Sequence, residues 1–170
     1  MLVEEAVNRI KAAGRGNNNE WGVDRAIDFL NTALQQISAL LVANRYPPIV
    51  KTIQLEDGDD LPENYMFACG TYPIRITDGV VEFLDDSLDE IRFRYFANVG
   101  KVTKTSDSMP FANDAINEVV VKGAVLLALN ENAYNIGQDS QLVTALQQAV
   151  AGGLAGTSAL AQGTPTATAG

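Results

Sequence analysis

Apolar side chains recur along this chain with two different periods, and the switches between them divide it into three parts. From Leu2 to Ala13 the residues Val3, Ala6, Val7 and Ile10 share one side of a short amphipathic helix, expected to stop at Gly14. Residues 14–20, GRGNNNE, read as a polar loop. Trp21 then precedes a long helix over about Val23 to Asn44. In it Val23, Ile27, Leu30, Leu34, Ile37 and Leu41 follow steps of four and three, the spacing of a bundle seam. Asp24, Arg25, Asp28, Asn31, Gln35 and Gln36 lie off the seam. Tyr46-Pro47-Pro48 ends the helix, because a proline disfavours helical geometry in the residue before it.

In the middle the period becomes two. Ile49, Ile53 and Leu55 predict a first strand, and DGDDLPEN is a turn-rich connection. Ile74 and Ile76 precede Asp78-Gly79, with Val81 and Phe83 after it. A two-residue Asp-Gly between alternating runs is the strongest short-range signal for a hairpin. In IRFRYFA, Ile91, Phe93 and Tyr95 take one face and Arg92 and Arg94 the other.

The helical period then returns. Met109-Pro110-Phe111 leads into a helix over about Asn113 to Asn132 that is apolar nearly all round from Val119 to Leu129, apart from Lys122. A helix of that kind is buried on more than one side, so it is expected to pack against a second subunit as well as the bundle. Asp139 or Ser140 can cap a last helix bearing Leu142, Leu146, Ala149 and Val150, expected to end at Gly152-Gly153. The predicted fold is α+β. Helices near 2–13, 22–44, 112–133 and 139–151 form a predominantly α-helical bundle, and strands near 49–55, 72–85 and 91–97 make a small antiparallel β-sheet. A body over 1–152 thus carries a β insertion at about 49–97, followed by an extended C-terminal arm over 153–170.

That arm has no charge and no aromatic side chain, and Leu154 and Leu160 are its only sizeable apolar residues. Small residues bury too little surface to offset the entropy of ordering, so such an arm needs a neighbouring molecule to hold it. Leu154 and Leu160 are its candidate anchors. The net charge of the 170 residues is −9. An acidic surface lacks the Lys/Arg–phosphate neutralisation on which gripping nucleic acid depends. There is no histidine and a single cysteine, Cys69, which removes the commonest general base and any thiolate cluster built within one chain. The start, MLVEEAVNRI, carries acids where a signal peptide needs basic residues. The run Val119–Leu129 is short of the roughly 20 residues that span a bilayer. No membrane association is expected, and synthesis is expected in the cytoplasm.

Candidate chemistry is sparse. Glu56, Asp57, Asp59 and Asp60 sit in one turn and Asp85, Asp86, Asp89 and Glu90 in another, without the spacing of a calcium loop. They read as solvated loops. Ser38 and Thr32 lie within a helix with no histidine to activate them, and Cys69, in the strand-like YMFACG, reads as a small core residue. Gly14-x-Gly16 lacks the rest of a dinucleotide loop. Lys122 reads as snorkelling or paired with an acid. Trp21 reads as a staple closing the bundle end, with an interface role as the alternative. No metal, cofactor or catalytic residue is expected.

Taken in order, the segments from about Asn19 to Ala151 resemble the head-to-tail adaptor (connector) proteins of tailed bacteriophages. The likeness is carried by Trp21 with AIDFLNTALQQI, then TIQLEDGDDLP, IRFRYFA, SMPFANDAINEVVVKGAVLLAL and NIGQDSQL. It implies a non-enzymatic structural protein of the virion neck, in a ring of twelve subunits. That ring would dock beneath the portal protein, contact tail or tail-proximal neck proteins, and continue the DNA channel without sequence-specific DNA binding. Partner contacts are then expected at Trp21, Leu154 and Leu160. The alternative is a small helical protein-binding module, also non-enzymatic.

Overall fold

Eleven elements follow one another in the computed structural model, which describes residues 1–16, 20–131 and 133–161, with 154–161 described by backbone only. They fall into two compact units: Met1–Ile37 with the chain from Val102 onward, and Ser38–Lys101. The α+β class predicted from periodicity is the observed one.

The first unit is helical. α1 (Val3–Gly16) buries Val3, Ala6, Val7 and Ile10, with Glu4 and Glu5 in its first turn and Arg15 in its last, the charges that suit a helix dipole. It runs two residues past the expected stop, because Gly14 is buried within it rather than ending it. α2 (Val23–Ala43), whose residues from Ser38 onward belong to the second unit, buries Ile27, Leu30, Leu34, Ile37 and Leu41 of the expected seam; Val23, at the exposed first turn, stays 41% accessible. Between α3 (Asp114–Leu129) and α2 the approach is close at Gly123. A Cβ there would stand 3.7 Å from that of Ala33 and 2.5 Å from Cδ1 of Ile136. α1 and α4 (Ser140–Ala161) also pack on α3.

α4 departs most from expectation. It continues through Gly152 and Gly153, so residues 153–161 of the arm are helical, while 162–170 lie outside the described residues. Glycine lowers helix propensity by about 1 kcal/mol without forbidding the helix. At Gly153 the missing Cβ is useful, since it would lie 2.7 Å from Nδ2 of Asn113. That asparagine caps α3 through Ala115 N–H and donates to the Ala149 carbonyl at 2.9 Å, tying the start of α3 to α4.

Polar side chains pin the connections of this unit. Asn31 holds Val102 by both amide atoms, each at 2.9 Å. Gln36 accepts from Ile136 N–H at 2.9 Å, and Asn117, 1% accessible, bonds both backbone groups of Phe111. Each satisfies backbone groups that could not otherwise be buried without cost.

In the second unit, β1 (Val50–Leu55), β5 (Ile91–Ala97) and β2 (Tyr65–Ala68) make an antiparallel sheet in the order β1–β5–β2. β2 falls in the stretch read as strand-like, though it is not among the strands assigned to the predicted sheet; a bulge between Tyr65 and Phe67 interrupts its register with β5. β3 (Ile74–Thr77) and β4 (Val80–Phe83) form the predicted hairpin. Asp78 at φ +52° and Gly79 at φ +86° supply the left-handed pair that a two-residue turn needs. The core joins Val81 and Phe83 of the hairpin to Leu55, Phe93, Tyr95 and Ala97 of the sheet. The opposite face of that sheet carries Thr52, Gln54, Arg92 and Arg94, all exposed.

Candidate functional site

The acidic turns are structural devices first. Asp57 accepts from Phe83 N–H at 2.7 Å, and Asp59 from Glu56 N–H at 2.8 Å, fixing the 56–61 loop along β4. Asp85 accepts from the hydroxyl and backbone N–H of Ser87, which hold its carboxyl below the usual carboxylate range. No group of three or more metal-ligating side chains occurs among the described residues.

In the helical unit each shifted group also has a capping or pairing cause. The Tyr134 hydroxyl donates to Asp139, and that bond chiefly lowers the Asp139 carboxyl, helped by Leu142 and Gln141 N–H. The same contact raises the Tyr134 phenol. Arg9 and Glu118 pair at 2.8 Å between α1 and α3, which raises the guanidinium and lowers the carboxyl. Backbone N–H groups of Thr103 and Lys104 lower Asp107, and the amino group of Met1 lowers Asp114. Ser38 is buried, and Thr32 donates back to the Asp28 carbonyl one turn earlier, the ordinary habit of a helical threonine.

Trp21 is half-buried. Its ring meets that of Phe29 edge-on at 5.2 Å, and Arg25 lies 4.7 Å over the same Phe29 ring, so the tryptophan closes the start of α2. Its indole N–H is buried with no hydrogen-bond partner among the described residues. The backbone of Leu154 and Leu160 lies in α4, but their side chains are outside the described residues. The expected contacts of Leu154 and Leu160 therefore lie outside the described residues.

Two further surfaces stand out among the described residues, the first of them on the helix expected to pack against a second subunit. One is a groove of about 360 Å³ in the helical unit, floored by Val125, Leu126 and Leu142, with Arg9, Lys122 and Asp139 at its rim. On the same helix Val121 is fully buried within the chain, Val125 is half-buried and Leu129 exposed. Lys122 is exposed and belongs to no ion pair among the described residues, which leaves the snorkelling alternative. The other is a depression of about 310 Å³ in the β unit, walled by Arg45, Phe67, Cys69 and Phe96. The Phe67 ring meets that of Phe96 tilted at 46°, centroids 4.8 Å apart, yet Phe67 stays 42% accessible, as does Met66. Cys69 is half-buried at this rim, not in the core. The exposure of Phe67 was hidden in sequence because β2 does not alternate.

By length and composition α2 could also cross a bilayer, the one helix among the described residues that could. Its apolar seam is instead buried within the protein. No protein-family profile matches this chain, and no curated protein does.

Proposed function

We propose that this chain is a structural subunit of the neck of a tailed-bacteriophage virion. It forms a ring, of twelve copies by the resemblance, between portal and tail and continues the DNA channel. The observation that carries the reading is the ordered likeness of its segments from about Asn19 to Ala151 to the adaptor proteins. Two further features support it. The groove at Val125, Leu126 and Leu142 leaves apolar surface for a neighbour to cover. A net charge of −9 suits a wall along which DNA slides, because it avoids Lys/Arg–phosphate contacts that would hold the duplex.

The test is assembly of the purified chain on the portal protein of the same phage, viewed by electron microscopy. A ring of added density beneath the portal is the expected result. Portals that remain bare at saturating chain, with the chain folded by circular dichroism, would overturn the reading.

A further inference from the structure

Three arginines of the β unit belong to no ion pair among the described residues. Arg92 and Arg94 stand side by side on the open face of β5, between Gln54 and Thr52 of β1. Arg45 walls the depression at the Phe96 end of the same strand. The ion pairs among the described residues are Met1 with Asp114, Arg9 with Glu118 and Arg75 with Glu82, so none of the three is engaged. Yet within residues 38–101 acids outnumber basic residues, and the neighbouring guanidiniums repel one another. Arg45 also sits at φ +54°, the left-handed position after α2 where glycine is the easy choice. A cation is kept there despite the strain.

The same unit carries the complement. Loop 84–90 holds Asp85, Asp86, Asp89 and Glu90, all exposed, beside Leu84, which is 57% accessible. The cationic surface has apolar neighbours of its own in Met66 and Phe67. Each patch is thus an apolar side chain flanked by charge, of opposite sign in the two cases. Within one copy no ion pair joins loop 84–90 to Arg92 or Arg94 among the described residues. The loop leads into the Ile91 end of β5, two residues from Arg92, while Phe67, Phe96 and Arg45 lie at the far end, a strand length of roughly 20 Å away.

We infer that the surface formed by Arg45, Arg92, Arg94 and Phe67 docks loop 84–90 of a second copy of this chain. One patch of each kind is used per contact, so each copy keeps a free patch of the other kind. Such a head-to-tail contact propagates, and it closes into a ring if the rotation allows. Only the closure rests on the proposed neck ring; the contact itself does not. Nucleic acid is the disfavoured occupant, because three arginines release few counterions and the acidic loop repels phosphate.

The experiment is charge exchange in the full-length chain. One variant carries Arg92→Glu and Arg94→Glu, the other Asp86→Arg and Asp89→Arg; all four side chains are exposed, and circular dichroism checks the fold. Self-association is followed by sedimentation velocity over a concentration series, and on portals by microscopy. Each variant alone is expected to associate about a hundredfold more weakly than wild type, since like charges then face each other. An equimolar mixture of the two should recover association. Wild-type association by either variant alone, or no recovery on mixing, overturns the contact. So does loss of duplex-DNA binding by the Arg92→Glu/Arg94→Glu variant with self-association intact. Recovery on mixing while portals stay bare would uphold the contact and sink the neck reading; rings on portals indifferent to both variants would do the reverse.

Discussion

The two units are held together by different means. The helical unit is discontinuous in sequence, and its parts meet through aliphatic packing plus a few amides that reach across the chain, Asn31 to Val102 and Gln36 to Ile136. The β unit is continuous, and its core is aromatic: Phe93 lies 4.8 Å from Tyr72 and 6.0 Å from both Tyr65 and Tyr95. Its loops are closed by nearby carboxylates rather than distant amides. A unit continuous in sequence can open and close by itself, whereas one built from segments far apart in the chain needs all of them at once. The comparison therefore predicts two separable levels of stability.

Core truncations test this most strongly. Phe93→Ala should cost roughly 3–5 kcal/mol and Leu34→Ala roughly 2–5 kcal/mol, because both side chains are buried among neighbours that cannot collapse into the space. Hydrogen exchange should then show Phe93→Ala stripping protection from 50–97 while α1 and α3 keep theirs. Equal loss in both units would mean that the chain unfolds as one body. A smaller effect is expected at Asn117. Asn117→Ala leaves the buried backbone of Phe111 without partners and should cost about 1–3 kcal/mol in chemical denaturation. A change below about half a kcal/mol, the surface value, would show that water replaces the amide freely.

Acid should separate the units next. Asp107, Asp114, Asp139 and Glu118 of the helical unit are held below their ordinary values by native contacts, against Asp85 alone in the β unit. A carboxyl lowered by folding contributes its stability fully above the unfolded range, about pH 4, and loses it as pH falls through the folded value. Below about pH 4 the helical signal in far-UV circular dichroism should fall at a lower denaturant concentration than near-UV tyrosine signals of the β unit. Coincident transitions would contradict the difference.

The sequence made the aliphatic and turn-based parts legible. The α2 seam from Ile27 to Leu41, the Asp78-Gly79 hairpin and the Asp139 cap are all local patterns, and each is where periodicity or turn chemistry put it. What escaped was non-local. Asn31 and Gln36 read only as lying off the seam, because their partners lie 71 and 100 residues away. Phe67 and Arg45 became a surface only once β2 was seen to pair with β5. Trp21 was legible as a staple, whereas the partners of Leu154 and Leu160 belong to side chains outside the described residues.

The smallest effect discriminates most finely, at the two glycines read as a helix stop. Gly152 is exposed within α4, with nothing within 4 Å of a Cβ built on it and no left-handed φ. Gly152→Ala should therefore stabilise the helical unit by roughly 0.5–1 kcal/mol, the ordinary gain of alanine over glycine in a helix interior. One residue on, the sign reverses. An alanine Cβ at Gly153 would press on Nδ2 of Asn113 at 2.7 Å, and moving that amide breaks its bond to the Ala149 carbonyl. Gly153→Ala should lose what Gly152→Ala gains, a net destabilisation of about 1 kcal/mol, the usual worth of one hydrogen bond. Thermal denaturation of the pair reads both signs. If α4 instead stopped at these glycines with left-handed backbone, both alanines would destabilise, because L side chains are strained there. Opposite signs at adjacent positions require a helix that continues and a helix start, at Asn113, close enough to feel one methyl group.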